Sequence, residues 1–120
     1  MAFDAIARAR ADALFVAPDA FFTSRGTQFA ALAARNGLPA SSFSSEMAAD
    51  GLLLSYGTNL ADVFRQVGVY SGTILKGAKA ADLPVLQPTK FELAINLKTA
   101  RLLGIDIPPT LLAFADETIE

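Results

Sequence analysis

The sequence contains no cysteine and no histidine. Without these residue types it has no thiol nucleophile, no Ser-His-Asp triad, no imidazole acid–base catalyst and none of the nitrogen or sulfur ligands that zinc prefers. We therefore predict no enzyme activity, no metal site and no cofactor. The lack of cysteine leaves the redox compartment open, since many periplasmic and cytosolic proteins use none.

Charge is also scarce, because charged residues make up 18% of the 120 residues, against about 25% in typical soluble domains. The ten basic residues are scattered rather than clustered, so we expect no nucleic-acid binding. Hydrophobic residues reach 52% and the mean hydropathy is +0.39, yet no apolar run is long enough to span a bilayer. Such a composition indicates that part of the surface is covered by another domain or by a second copy.

The N-terminus lacks the pattern of a secretory signal. Asp4 stands where a signal is basic, and Arg8, Arg10 and Asp12 interrupt any apolar stretch. Residues 2–10 are predicted to form an amphipathic helix instead. The chain as it stands is therefore expected to be cytoplasmic.

Strand-like and helix-like stretches alternate along the chain, which predicts an α/β fold with a mainly parallel sheet flanked by helices. The predicted strands are short apolar or alternating runs at residues 13–16, 38–41, 52–56 and 91–95. The predicted helices are residues 2–10, 24–36, 59–76 and 97–103, with a further helical turn from Pro108. Two prolines make residues 82–88 extended, and the C-terminal residues are expected to be a solvated tail.

Capping residues set the predicted helix boundaries. Ser24 is the predicted N-cap of the second helix and Asn59 that of the third. Gly37, Gly77 and Gly104 follow the second, third and fourth helices, where a left-handed conformation commonly ends a helix.

Two catalytic patterns are incomplete. Gly68, Gly72 and Gly77 lie on and after a helix and no Gly-Lys-Ser/Thr follows a strand, so we interpret them as packing and capping positions rather than a phosphate loop. Asp12 and Asp19 flank the first strand as in a phospho-accepting receiver domain. That chemistry also needs an adjacent acidic pair and a lysine at a later strand end, and neither is in place.

Candidate ligand contacts follow three predicted strands. Asp19 comes after the first strand, Ser42 lies in a serine-rich stretch after the second, and Ser55 and Tyr56 end the third. Ligands of open α/β sheets bind beyond the carboxyl ends of the strands, so these groups could converge on a small polar or zwitterionic solute. The structural alternatives remain open: Asp19 in a turn, the serines in a solvated connection and Tyr56 as a packing residue.

The C-terminal two thirds of the sequence resemble the periplasmic solute-binding proteins of ABC transporters that are related to aromatic amino-acid binders. The resemblance rests on several pieces in the same order, namely residues 51–57 (GLLLSYG), 74–79 (ILKGAK), 81–85 (ADLPV), 87–93 (QPTKFEL), 95–100 (INLKTA), 103–105 (LGI) and 115–117 (ADE). It implies a two-lobed, hinged fold like that of type I periplasmic binding proteins, with the solute held between the lobes.

By this resemblance the chain is one partial domain. Residues 13–56 and 89–120 correspond to the C-terminal lobe, the helix 59–76 would pack on the N-terminal lobe, and residues 82–88 would form a hinge-like crossing strand. The family also implies a periplasmic location, a transporter permease as partner and a small solute such as an amino acid as ligand.

The N-terminal lobe of the family has no counterpart in these 120 residues, so we expect solute binding to be weak or absent. The apolar face of the helix 59–76 would then lack its partner, which predicts a homodimer. The alternative hypothesis is a truncated, self-associating α/β domain that binds no ligand.

Overall fold

A computed structural model describes residues 2–120 and contains one sheet of five strands in the order β1-β2-β3-β4-β5. The pairs β1–β2, β2–β3 and β4–β5 are parallel. The strands are β1 Leu14–Val16, β2 Ala40–Ser42, β3 Leu54–Thr58, β4 Phe91–Asn96 and β5 Glu117–Ile119. Helices lie between and beside these strands, so the α/β fold with a mostly parallel sheet is confirmed.

Seven α-helices accompany the sheet in the described part of the chain. They are α1 Ala2–Arg8, α2 Ala20–Thr23, α3 Gly26–Arg35, α4 Ser45–Ala49, α5 Leu60–Leu75, α6 Leu97–Leu103 and α7 Pro109–Ala113. A short 3₁₀ helix spans Ala80–Asp82. Residues 83–90 contain no strand, and they hold all but the first residue of the segment 82–88 that was predicted to be a hinge-like crossing strand.

The helices with strong local caps match their predicted boundaries. The Asn59 side chain accepts a hydrogen bond from Asp62 N at 2.7 Å and opens α5. Gly104 ends α6 in the left-handed conformation, with φ of 67°, which costs glycine little because it has no Cβ. The helical turn after Pro108 is confirmed as α7.

The predicted helix 24–36 was wrong at its start. Asp19 caps α2, and Ser24 is the C-cap of α2 rather than the N-cap of a longer helix. The second strand begins at Ala40 instead of Leu38, because Leu38 N donates to Ala33 O at 2.9 Å and closes the end of α3.

The sequence prediction also missed helix α4 and strand β5. Helix α4 follows β2 and buries Met47 and Ala48, which are 0% exposed. The predicted solvated tail contains β5, which pairs in register with β4. Asp116 fixes the entry to this strand, since its N–H donates to Leu93 O at 2.9 Å and its Oδ2 accepts from Leu93 N at 2.8 Å.

The main apolar cluster fills the space between β1, β2, α3 and α4. Four partly buried side chains pack around it, three of them phenylalanines. Its buried members are Val16, Ala30, Ala33, Ala40, Met47 and Leu52. Alanines on the facing sides of α3 and β2 allow these elements to approach closely, as dense packing requires.

The chain divides into two units, one formed by residues 1–57 and 92–120 and the other by residues 58–91. The first unit holds the apolar cluster. In the second, Tyr70 donates a hydrogen bond to Pro84 O. All of α5 is described and none of its residues is buried. Among residues 2–120 no helix combines the length and apolar character needed to cross a membrane.

Asp62, in the first turn of α5, is the centre of a small polar cluster in the second unit. Its Oδ1 accepts from Arg65 Nη2 at 2.8 Å and its Oδ2 accepts from Gln66 Nε2 at 2.9 Å. Donation by Arg65, and then by Gln66, holds the pKa of the Asp62 carboxyl below its usual value, because both groups stabilise the ionised form.

Candidate functional site

The register of the parallel strands places the ends of β1 and β2 beside Ser55 in β3. Val16 pairs with Ser42, and Ser42 pairs with Ser55. The segments that follow β1 and β2 therefore leave the sheet beside Ser55, whereas β3 continues to Thr58. We call this surface the carboxyl edge and define it by Asp19, Ser42–Ser44 and Ser55–Gly57. All of these residues belong to the first unit.

Asp19 lies at the carboxyl edge as the N-cap of α2. Its Oδ1 accepts a hydrogen bond from Phe21 N at 2.8 Å. The residue is exposed, and its backbone oxygen accepts from Thr23 Oγ1 at 2.9 Å. The structure thus gives Asp19 a local role as the N-cap of α2 and places its carboxylate at the carboxyl edge. The contact of Asp19 with a solute stays a prediction.

Ser42 is 1% exposed and shapes the loop after β2. Its Oγ donates to Ser44 O at 3.1 Å and accepts from Ser44 N at 3.3 Å. Ser44 is 3% exposed, and its Oγ has no hydrogen-bond partner within residues 2–120. A buried hydroxyl without a partner costs about 1–3 kcal/mol, so this loop holds an unsatisfied polar group beside the candidate site.

Ser55 and Tyr56 are neighbours with opposite exposure. Ser55 is 1% exposed and faces inward, whereas Tyr56 is 60% exposed. This follows from the alternation of side chains along β3. Tyr56 therefore presents a large aromatic surface at the carboxyl edge, while Ser55 contributes to the buried side of the sheet. Their roles in solute binding stay predictions.

Gly57 allows β3 to approach the loop after β2. A Cβ atom built on Gly57 would lie 2.9 Å from Phe43 C and closer still to Phe43 O. Real side chains do not tolerate such a distance to backbone, so only glycine fits here without a shift of the loop. The close approach of β3, which carries Tyr56, to the Ser42–Ser44 loop thus depends on glycine at position 57, because glycine has no Cβ.

Asn96 and Thr99 form a buried polar network that holds the first unit together at the junction of β4 and α6. Asn96 Nδ2 donates to Ala48 O at 2.9 Å, and Asn96 Oδ1 accepts from Thr99 N at 2.9 Å. Thr99 Oγ1 donates to Gly51 O at 2.9 Å. The network ties the segment between α4 and β3 to the start of α6.

Sequence reasoning missed the unsatisfied Ser44 hydroxyl and the Asn96–Thr99 network. Asparagine directly before an apolar helix is an N-cap signal and could have revealed half of the network. The bonds to Ala48 and Gly51 join residues 48 apart in the sequence and have no local signal. In the described residues there is also no cluster of three acidic side chains that could hold a metal ion.

The fold defines an α/β protein with a mostly parallel sheet, and comparison with known proteins gives the family. The family of ABC transporter substrate binding proteins matches residues 2–119. The chain belongs to this family. Its members bind substrates rather than transform them. The resemblance predicted from residues 51–117 is confirmed.

Solved structures support the same assignment. A conserved domain protein from Vibrio cholerae O1 biovar El Tor is 27% identical with a TM-score of 0.89, and it covers 98% of this chain and 39% of its own. An ABC domain from Streptococcus pneumonia in complex with L-Trp is 29% identical with a TM-score of 0.85, covering 95% of this chain and 40% of its own. Among curated proteins no sequence matches.

A ligand-free, open substrate binding protein with adhesive properties from Clostridium difficile shares the fold. It is 20% identical with a TM-score of 0.67, and it covers 99% of this chain and 40% of its own. The chain therefore spans about two fifths of the length of the solved structures that it matches.

Proposed function

We propose that this chain provides one side of the solute site of an ABC-type importer, and that the solute is an amino acid. The observation that supports the proposal is the carboxyl edge, which carries a carboxylate after β1, a tight loop after β2 and an exposed aromatic ring on β3, in a fold whose Streptococcus relative is in complex with L-Trp. Ligands of parallel α/β sheets bind at this edge of the strands.

Each exposed group at the edge suits one part of an amino acid. The ring of Tyr56 offers an apolar face on which an aromatic side chain can stack. The Asp19 carboxylate can accept a charge-assisted hydrogen bond from an ammonium group. Ser42 and Ser44 shape the loop after β2 rather than contact the solute through an exposed hydroxyl.

We propose that residues 13–56 and 89–120 correspond to the C-terminal lobe of a hinged binding protein, that α5 packs on an N-terminal lobe, and that residues 82–88 act as a hinge. Closure around a solute draws on contacts from both lobes. These 120 residues alone should therefore bind an amino acid weakly, with a periplasmic location and a permease partner expected for the complete protein.

Self-association without a ligand is the second candidate, and the exposed apolar side chains of the 58–91 unit favour it. Phe64 is 70% exposed, Val67 57% and Leu75 87%. Apolar surface of this kind is normally covered by protein. For the 120-residue chain, we propose a second copy as the cover, giving a homodimer.

Thermal unfolding with added L-tryptophan tests the solute-binding proposal. At ten times its Kd a ligand stabilises a protein by about 1.4 kcal/mol, which raises Tm by roughly 6 °C for a chain of this size. N-acetyl-L-tryptophan lacks the ammonium charge and should produce a smaller rise. If none of the common amino acids raises Tm, the self-association hypothesis replaces solute binding.

Two aromatic substitutions locate the site. Tyr56→Ala should remove most of the Tm rise that L-tryptophan causes, because it deletes the exposed ring at the carboxyl edge. Phe114→Ala is the matched control, since Phe114 is 78% exposed but lies at the end of α7, away from the strand ends β1–β3. An equal loss in both variants would show that L-tryptophan binds elsewhere.

A further inference from the structure

A separate cavity of about 800 Å³ lies between α1, α2 and α3 in the first unit. Its volume is in the range of small-molecule sites, which is about 300–1,000 Å³. None of the solute contacts predicted from the sequence (Asp19, Ser42, Ser55 and Tyr56) lines it.

Aromatic side chains make up the apolar wall of this cavity. The rings of Phe3 and Phe29 are 6.0 Å apart, those of Phe22 and Phe29 5.5 Å, and those of Phe21 and Phe22 5.9 Å. The four rings form a continuous row in tilted and edge-to-face contact, an arrangement that aromatic pairs prefer. Phe21 is still 55% exposed, so the row keeps free aromatic surface.

The charges that line the cavity favour an anion. The residues that line it include two arginines, Arg25 and Arg35, and one acidic residue, Asp4. Within residues 2–120 neither arginine forms an ion pair or a hydrogen bond through its side chain, whereas Asp4 already takes part in an interaction. The cavity therefore combines an apolar aromatic wall with positive charge that is not neutralised by a bound carboxylate.

Arg25 is better placed than Arg35 to hold a ligand. Its guanidinium lies 4.1 Å from the centre of the Phe21 ring, and this stacking limits the conformations of the side chain. A guanidinium that is already ordered loses less entropy when it forms a bidentate bond with a carboxylate. Arg35 lies ten residues further, at the other end of α3, about 15 Å along the helix.

We propose that this cavity binds a small aromatic carboxylate, with its ring against Phe22 and Phe29 and its carboxylate on Arg25. The site is independent of solute binding at the carboxyl edge. It would let the protein respond to an aromatic acid without occupying the amino-acid site.

Nuclear magnetic resonance titration with indole-3-acetate tests the proposal, with indole-3-acetamide as the neutral analogue of the same shape. Saturating shifts should appear at the backbone amides of α2 and α3. The acetate should bind about tenfold more tightly than the acetamide, as expected for one charge-assisted pair. Arg25→Gln should remove this preference, while Arg35→Gln, with the same loss of charge in the same cavity, should change acetate affinity by less than about threefold.

Three results would overturn the proposal. They are the absence of saturating shifts at α2 and α3, equal affinity for the acetate and the acetamide, and an equal loss of affinity in the two arginine variants. The last result would mean general attraction by positive charge rather than a site built on Arg25. Tyr56→Ala should leave acetate binding unchanged, which separates failure of this proposal from failure of amino-acid binding at the carboxyl edge.

Discussion

Replacing Asn96 by alanine should destabilise the first unit strongly, because one 4%-exposed side chain joins three segments. The substitution removes the N-cap of α6, which typically costs about 1 kcal/mol. It also leaves the buried Ala48 carbonyl without the Asn96 Nδ2 donor, at about 1–3 kcal/mol. Together we expect a loss of about 3 kcal/mol, a large part of the 5–15 kcal/mol that stabilises a typical domain.

Urea unfolding followed by far-ultraviolet circular dichroism measures this loss. With a slope of about 2 kcal/mol per molar urea, the midpoint should fall by about 1.5 M. Thr99→Val removes only the bond to Gly51 O and should cost about 1 kcal/mol. Asn36→Ala is the control, since Asn36 is exposed and bonds only within its own helix end, and its effect should stay within about 0.5 kcal/mol.

A result in which Asn96→Ala costs no more than Asn36→Ala would refute this reasoning. It would mean that water replaces the Asn96 amide at the Ala48 carbonyl, so that the network carries no net stability. A loss near 1 kcal/mol, equal to that of Thr99→Val, would assign the effect to the N-cap alone.

Three further predictions concern other parts of the chain. Gly57→Ala should lower the free energy of unfolding by about 1–3 kcal/mol, because the new Cβ would clash with the backbone of the loop after β2. Gly68→Ala on α5 has open space around it and should stabilise the chain slightly in thermal unfolding. Equal effects of the two substitutions would contradict the close approach of Gly57 to the loop. The Asp62 carboxylate stabilises the folded state at pH values above its unfolded pKa of about 4, and this stabilisation is lost as the pH falls through the lowered folded pKa. Arg65→Gln should therefore raise the pKa of Asp62 in an NMR titration. An unchanged pKa would refute Arg65 as the cause. Phe64→Asp should turn the proposed homodimer into a monomer in light scattering at micromolar concentration, and a wild-type monomer would disprove the dimer.

Local signals explain which helices could be predicted from the sequence. Asn59 and Gly104 act on backbone groups within a few residues of themselves, so the start of α5 and the end of α6 followed from neighbouring residues. The predicted start of the helix 24–36 was wrong because Asp19, which was not predicted as an N-cap, caps a separate short helix before Ser24. Asp19 forms its cap with Phe21 N, and the chain then turns at Arg25 before α3 begins.

Contacts between distant residues explain what the sequence could not show. Helix α4 is stabilised by burying Met47 against β1, β2 and α3, and β5 by pairing with a strand more than twenty residues earlier. Short elements such as these have little helix or strand preference of their own, so tertiary packing decides them.

The candidate site divides in the same way. The order of residues 51–117 was enough to place the chain among ABC transporter substrate binding proteins, and the strand ends located Asp19 and Tyr56 on one edge of the sheet. Only the tertiary structure showed that the Ser42 hydroxyl is hydrogen-bonded to the Ser44 backbone within its own loop. It also showed that Gly57 sets the distance between that loop and β3. The sequence alone excludes catalysis by thiol or imidazole groups, because it contains no cysteine or histidine. The positions of the groups that remain depend on strand register and close packing, because these bring together residues that are far apart along the chain.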